Sequence, residues 1–328
     1  MQSASVIICC YNSAPRLGQT LKHLALQHTS ALSWEIILVD NASTDDTKKV
    51  AYNLWQEFSR TDVPLKIVDQ PIQGLSYARE KGIQSASFDI LIFCDDDNWL
   101  DSNYLVEACS VLRSDLKIGA LGGTGTAVSD VPLPKWFEQY KGCFACYPQA
   151  KQSGELTDAH SFLYGAGLVV KREVLQKLST NNFIPVLPDR VGTKLTSGGD
   201  TELSYAIRLS GYKLWFSDKL KFEHYLPASR LTETYLYKLV AAMSYCSGLL
   251  LLYNYVLLGK PMNRLVWIKD MTYQIIFFIR ALLSYPFSGK SSLERKLDFA
   301  FAYNRMLSIL HQAGSYRRRH QQILRLKG

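Results

Sequence analysis

The sequence predicts an α/β fold with a mainly parallel central sheet flanked by helices, followed by a helical C-terminal extension. Two observations carry the first part. Four short apolar runs recur within the first hundred residues, and segments with helical spacing lie between them. A third observation carries the extension: beyond residue 239 an uncharged stretch gives way to a strongly basic tail.

The apolar runs are SVIICC (5–10), EIILVD (35–40), PLKIVD (64–69) and DILIFCD (89–95). Their length and β-branched content read as strands buried on both faces, which in turn implies a parallel sheet with right-handed crossovers. Leu17, Leu21 and Leu24 share one face of the first intervening helix. Ser43 and Asp46 have the spacing of a capping box for the second, which runs on through Val50 and Leu54. Gly74 to Ala86 supplies the third. Further on, residues 118–128 read as a strand entering a glycine-rich bend, and VPLPKWFEQY as a loop leading to a helix. SFLYGAGLVVKREVL reads as a strand and then a helix, VGTKLTSGGD as a polar loop, DTELSYAIRLSGY as a helix, and KLWFSDKLKFEHY as two short strands.

With 328 residues, 47% apolar and 20% charged, the chain can bury a full core. Its net charge of +8 is uneven: from Gly259 onward 13 Lys and Arg face 3 acids, leaving 24 against 26 before it. The basicity therefore belongs to the tail. YRRRHQQILRLKG suits anionic lipid headgroups, and no stacking-aromatic module accompanies it, so nucleic acid is not expected as a partner. Leu239 to Leu258 carries no charge for 20 residues, about the length of a membrane span. A single crossing would put the basic tail outside, against the positive-inside tendency, so an in-plane pair or a returning hairpin fits better. A soluble helical subdomain is the alternative. Seven cysteines show no metal-like or disulfide-framework spacing and read as small buried residues in a reducing compartment. Nothing at the N-terminus reads as a signal peptide, so secretion is not expected.

Asp95, Asp96 and Asp97 stand at the end of the fourth apolar run, and Asp40 ends the second. Open parallel sheets bind ligands beyond the carboxyl ends of their strands, so the fold brings these acids to one rim. Adjacent carboxylates raise one another's pKa unless a cation or hydrogen-bond network offsets the repulsion. The cluster asks for a positive partner.

The ordered motifs SVIICCYN, EIILVDNASTDDT, QGLSYAREKGI, FCDDDNWL, YGAGLVVKREVL, GGDTELSYAIRLSGYKLWF and KFEHYLP, spanning about Ser5 to Leu239, resemble the family 2 glycosyltransferases. These are nucleotide-sugar-dependent enzymes of the Rossmann-like GT-A fold. The resemblance implies a catalytic domain over 1–238, and the uncharged stretch and basic tail beyond it read as a helical, basic membrane-association region over 239–328. It implies that Tyr11, Asn12 and Asp40 hold the nucleotide, with Arg79 adding positive charge or else standing as a surface helix residue. It maps the metal on Asp97, with Asp95 towards the ribose and the metal and Asp96 touching the donor or only shaping the turn. The metal would be Mn²⁺ or Mg²⁺. His224 is a third ligand or a structural histidine. Asp200 falls at the general base, although Gly199 stands where the family has Glu, and helix capping is its other reading. Gly165 and Gly167 would admit the donor sugar; Trp136 and, less directly, Glu202 would border the sugar or acceptor.

The implied reaction is a single inverting displacement, favouring a UDP-sugar donor and a hydroxyl of a glycan or lipid-linked acceptor, in cell-surface polysaccharide synthesis. The expected location is cytoplasmic, peripheral or monotopic on the inner face of the cytoplasmic membrane. Two rivals stand beside this reading. A sugar nucleotidyltransferase would want a basic glycine-rich loop after the first strand, which CCYNSAPRL lacks. A non-catalytic nucleotide-sugar-binding membrane protein would have less use for Asp40, Asp95, Asp97 and Asp200.

Overall fold

A computed structural model of the protein describes residues 2–29, 32–187, 197–284 and 289–327. The first half alternates β1 (Gln2–Cys10), α1 (Leu17–Ala25), β2 (Leu32–Asp40), α2 (Thr47–Glu57), β3 (Leu65–Asp69), α3 (Leu75–Ser85) and β4 (Ile90–Phe93). Then come β5 (Asn98–Leu100), α4 (Tyr104–Ser114), β6 (Ile118–Val128), α5 (Phe137–Tyr140), β7 (Gly154–Glu155), β8 (Val169–Lys171), α6 (Arg172–Thr180), α7 (Gly199–Leu209) and β9 (Lys213–Tyr225). The C-terminal helices are α8 (Glu233–Leu249), α9 (Leu251–Leu257), α10 (Arg264–Ser284), α11 (Ser292–His311) and α12 (Tyr316–Leu324).

The strands form one sheet in the order β3-β2-β1-β4-β8-β6-β9-β5, with β7 paired to β9. β3, β2, β1 and β4 are mutually parallel, as are β6 and β9, while β8 enters antiparallel between β4 and β6. Alternation within the apolar runs fills both sheet faces. Ile7, Ile37, Leu91 and Val170 point into one core; Val6, Ile8, Leu38 and Ile92 point into the other, under α1, α2 and α4. The register pairs Cys10 with Asp40 and Asp40 with Asp69, and β4 ends two residues before Asp95. The expected rim of carboxylates follows from that register.

Two local expectations are corrected, and a third falls largely outside the described residues. Ser43 and Asp46 form no capping box: α2 starts at Thr47, Asp46 makes no capping hydrogen bond, and the Ser43 hydroxyl instead accepts from Asn12 N. KLWFSDKLKFEHY is one strand, not two. Its polar middle is absorbed by a register shift against β6, and Ser153 bonds Asp218 there. Residues 191–196 of the expected polar loop lie outside the described residues.

Position 238 falls inside α8. Cys246, Leu249, Leu250, Leu252, Tyr253 and Val256, with Tyr316 and Ile323, join the same core as Ile7 and Ile37. The uncharged stretch 239–258 is thus divided between α8 and α9, bent by 43°, and much of its apolar surface packs against protein. Among the described residues no single helix is long and apolar enough to cross a membrane; the bent α8–α9 pair passes by length and composition only. α8 lies close on α11, since a Cβ at Gly248 would stand 1.8 Å from Ser308 Oγ. The exposed apolar surface is found on α10, where Leu265, Tyr273 and Leu283 are 75%, 65% and 66% exposed.

Candidate active site

A cavity of about 760 Å³ opens beyond the carboxyl ends of β1 and β4. Its walls come from the loop after β1 (Cys9, Cys10, Tyr11), from α3 (Arg79), from Asp95 to Asp97, from Tyr164 and Gly165, from the start of α7, from His224 and Arg230, and from α8, α9 and α11.

The three adjacent acids have three different surroundings. Asp95 forms no side-chain hydrogen bond or close ion pair among the described residues. Burial raises its pKa to about 6; Arg79 opposes the shift, and Asp97 and Asp96 add to it. Asp96 is committed to the β1–α1 loop: Arg16 lies 2.6 Å away, Ser13 donates to the same oxygen, and Thr20 Oγ1 donates to its carbonyl. Its part is therefore to shape the turn rather than to offer a free carboxylate to a donor. Asp97, 4% exposed, takes Arg230 Nη1 at 2.8 Å on one oxygen, and on the other Asn98 Nδ2 at 3.1 Å and His224 Nε2 at 3.5 Å. Burial would raise the Asp97 pKa, but the His224 and Arg230 charges hold it well below the carboxylate range. Burial would likewise lower the His224 imidazolium pKa, yet Asp97 pushes it up to about 10. The other imidazole nitrogen, Nδ1, lies 2.7 Å from the Phe144 carbonyl.

These groups suit a divalent cation. Among the described residues Asp95 is a carboxylate without a partner of its own, and a cation at Asp97 would have to displace the Arg230 contact and the proton on His224 Nε2 before the imidazole could serve as a donor. Among the described residues no three such groups converge as a complete preformed site.

Asp200 stands in the first turn of α7, facing the same cavity. Gly165 N donates to its Oδ2 at 3.0 Å, and Thr201 N to its Oδ1 at 2.8 Å. Thr201 Oγ1 also donates to Oδ1 at 3.4 Å, so Oδ2 is the oxygen that keeps a lone pair for a further donor. Gly198, whose φ of 105° lies in the left-handed region open to glycine, turns the chain into this helix. Gly165 brings the donor side against Asp200: a Cβ there would lie 3.1 Å from Arg79 Nη2 and 3.5 Å from Asp200 Cβ.

The remaining expected residues separate into cleft wall and support. Tyr11, 40% exposed, lines the cavity. Asn12 does not; its side chain accepts from Thr44 N at 2.8 Å and ties the β1–α1 loop to the β2–α2 loop. Asp40 lies just behind, 4% exposed, and its Oδ1 has no hydrogen-bond partner among the described residues. An orphaned buried acceptor is costly unless a ligand donor reaches it. Gly167 is a packing position: its φ is 68°, and a Cβ would meet the Tyr104 hydroxyl at 2.5 Å. Trp136 stacks behind Phe144 rather than bordering the cavity. Glu202 is fully buried outside the cavity wall, accepting from Val186 N, Leu187 N and the Tyr253 hydroxyl, so its expected place near sugar or acceptor is corrected.

The sequence did not single out Arg230, which reaches Asp97 from the segment after β9, or Asn41, which binds the Gln70 and Ile72 carbonyls and Gly74 N. Asn41 directly follows Asp40, which was one available signal. Arg230 carried none, being 133 residues from its partner.

A carboxylate-rimmed cleft at the carboxyl edge of a Rossmann-like sheet, with a second acid at a helix start across it, is the architecture of a GT-A transferase. The pattern of Glycosyl transferase family 2 matches residues 5–179, and the chain belongs to that family. Glycosyltransferase AglE of Haloferax volcanii is 27% identical over 216 residues, 65% of this chain and 64% of its own length. The chain thus matches slightly less than two thirds of that relative. Among solved structures, S. aureus TarS 1–349 in complex with UDP-GlcNAc superposes with a TM-score of 0.53 at 16% identity, covering 99% of this chain and 90% of that one. The mannosyltransferase PcManGT from Pyrobaculum calidifontis, in complex with GDP-Man and Mn²⁺, gives 0.53 at 16% identity, covering 98% and 84%. At those identities the likeness is one of fold.

Proposed function

We propose that the protein is an inverting glycosyltransferase that moves a sugar from a nucleoside-diphosphate sugar, UDP-linked by preference, to a hydroxyl of a glycan or lipid-linked acceptor in cell-surface polysaccharide synthesis. The observation that carries this reading is the Asp95 carboxylate, partnerless among the described residues, facing the same cleft as Asp200. Asp95, Asp97 and His224 would hold Mn²⁺ or Mg²⁺, which when bound neutralises charge on the diphosphate leaving group.

The chain's own groups account for the rest of the chemistry. In this reading Asp40, whose buried Oδ1 has no hydrogen-bond partner among the described residues, accepts from a base N–H, and the exposed Tyr11 ring borders the nucleotide; the orphaned oxygen supports it. Arg79 contributes fixed positive charge at the diphosphate end. Asp200, oriented by Gly165 N and Thr201 N, takes the proton from the acceptor hydroxyl as that oxygen attacks C1 of the sugar. Bond formation at C1 and departure of the nucleoside diphosphate then occur in one displacement with inversion. The fixed geometry of base and donor cradle contributes through proximity.

The same reading places the protein at the inner face of the cytoplasmic membrane, peripheral or monotopic. Support comes from the exposed apolar residues of α10, with Arg264, Lys269 and Arg280 on the same helix and a basic α12 after it.

The deciding experiment is a nucleotide-sugar panel with Mn²⁺, with and without EDTA. Release of nucleoside diphosphate from one donor, lost on chelation, is expected; neither binding nor release from any donor would reject the enzyme reading.

A further inference from the structure

The cleft does not end at Asp200. It continues along α8 and α9 to α11, where Leu239, Met243, Leu250 and Leu251 line it together with Asn254 and Arg305. The order of groups is set by close contacts. Gly165 touches both Arg79 and Asp200, and Gly198, just before Asp200, abuts the other arm: a Cβ there would stand 3.2 Å from Cys246 Cβ and 3.9 Å from Leu250 Cδ1. The base therefore sits between the donor cradle and this C-terminal arm.

Two polar side chains in the arm each have a covered atom without a hydrogen-bond partner among the described residues, and the Arg305 guanidinium otherwise lies over the Phe301 ring, 5.8 Å from its centroid. Arg305 Nε is fully covered without a hydrogen bond, and no carboxylate pairs with the guanidinium among the described residues. The acid whose charge reaches it, Asp270, is held by the Tyr255 hydroxyl at 2.8 Å to each oxygen. Asn254 Oδ1 is likewise covered and unpaired. A half-buried guanidinium whose covered Nε finds no acceptor is unfavourable, and burial lowers its pKa in spite of the opposing charges of Tyr273 and Asp270. Nothing in the transfer chemistry uses either group. An aliphatic wall with one guanidinium and one amide suits a molecule that is apolar along its body and carries an anion.

We propose that this arm is an acceptor subsite for an anionic group on an apolar body, anchored by Arg305 with Asn254 beside it. The inference rests on the glycosyltransferase reading, because it treats the arm as the acceptor's side of Asp200. An alkyl phosphate of a lipid and an acidic sugar of a glycan both present an anion to Arg305, and the probes below separate them.

The test uses the full-length chain with Mn²⁺ and UDP and titrates n-octyl phosphate, n-octyl β-glucoside, inorganic phosphate and methyl glucuronide, all below micellar concentrations. Octyl phosphate is expected to bind at least tenfold more tightly than octyl glucoside and inorganic phosphate. Arg305→Gln is expected to erase that preference, Arg305→Lys to retain part of it, and Asn254→Asp, which adds a carboxylate to the same arm, to weaken it. Methyl glucuronide matching octyl phosphate, and losing affinity in Arg305→Gln, would uphold the subsite and assign the anion to a glycan. Normal UDP binding without any anion preference, or a preference unchanged by Arg305→Gln, overturns the subsite alone. Failure of the wild type to bind UDP or any nucleotide sugar overturns it together with the glycosyltransferase reading.

Discussion

The Tyr253 hydroxyl donates to Glu202 across 2.8 Å, joining α9 of the C-terminal region to the helix that begins with the candidate base Asp200. Glu202 also receives Val186 N and Leu187 N, so one buried carboxylate fastens three segments. Tyr253→Phe removes one of its donors and is expected to lower stability by about 1–3 kcal/mol. Denaturant unfolding of the full chain checks this; a change below about 0.3 kcal/mol would mean that the bond is not formed in solution.

Burial raises the Glu202 pKa, with the two backbone donors only partly opposing it. In the window between the unfolded glutamate value and the raised folded value, the folded state binds more protons, so stability falls as pH rises. Glu202→Gln is expected to flatten that slope while costing stability throughout, since its amide cannot accept all three donors. Unfolding midpoints across pH 4–7 decide it; parallel slopes in both proteins would refute the assignment.

Asp200→Asn is expected to keep donor binding while transfer falls by about 10²–10⁴-fold, the usual range for loss of a general base. Isothermal titration with UDP and an assay of transfer report the two halves separately. Undiminished transfer would remove Asp200 from the role.

Arg230 occupies one oxygen of Asp97 at 2.8 Å. Arg230→Gln is expected to strengthen Mn²⁺ binding to the nucleotide-free protein several-fold, because a competing cation is withdrawn from a buried carboxylate. Equal or weaker Mn²⁺ affinity would mean that Asp97 meets no metal there.

Serine in place of Leu265, Ile276 and Leu283, all exposed on α10, is expected to abolish sedimentation with phosphatidylglycerol vesicles without altering the melting temperature. Retained sedimentation would move any membrane contact elsewhere. Deleting 240–328 would be a poorer test, because Leu249, Tyr253 and Tyr316 belong to the core shared with β1.

The legible parts of the fold are those fixed by local pattern. Ile7, Ile37 and Leu91 sit in unbroken buried runs, so β1, β2 and β4 and the acids at their ends could be read from order alone. Tertiary contacts decided the rest. Leu239 to Leu258 has a composition shared by membrane spans and core helices, and only packing against the sheet distinguishes them. Ser217, Asp218 and Lys219 look like a break, yet β9 continues past them because β6 tolerates a shifted register. In the site, Asp97 and Asp200 were visible from motif order, whereas Arg230, Asn254 and Arg305 take their meaning from neighbours distant along the chain. Trp136 and Gly167, named through the resemblance, stand behind the cleft, where Trp136 stacks on Phe144 and Gly167 packs on Tyr104.

The near contact of α8 with α11 at Gly248 bears on any attempt to exchange acceptor preference between relatives. A chimera joined at residue 238 would cut α8 in two and part Tyr253 from Glu202, although Gly248 and Ser308 would still travel together. The usable seam lies earlier, between Leu226 and Thr232, and the graft has to carry α8, α9, α11 and α12 together with the Glu202 side of α7 matched to the incoming tyrosine. Such a graft would behave as one exchangeable cassette, inherited or transplanted whole.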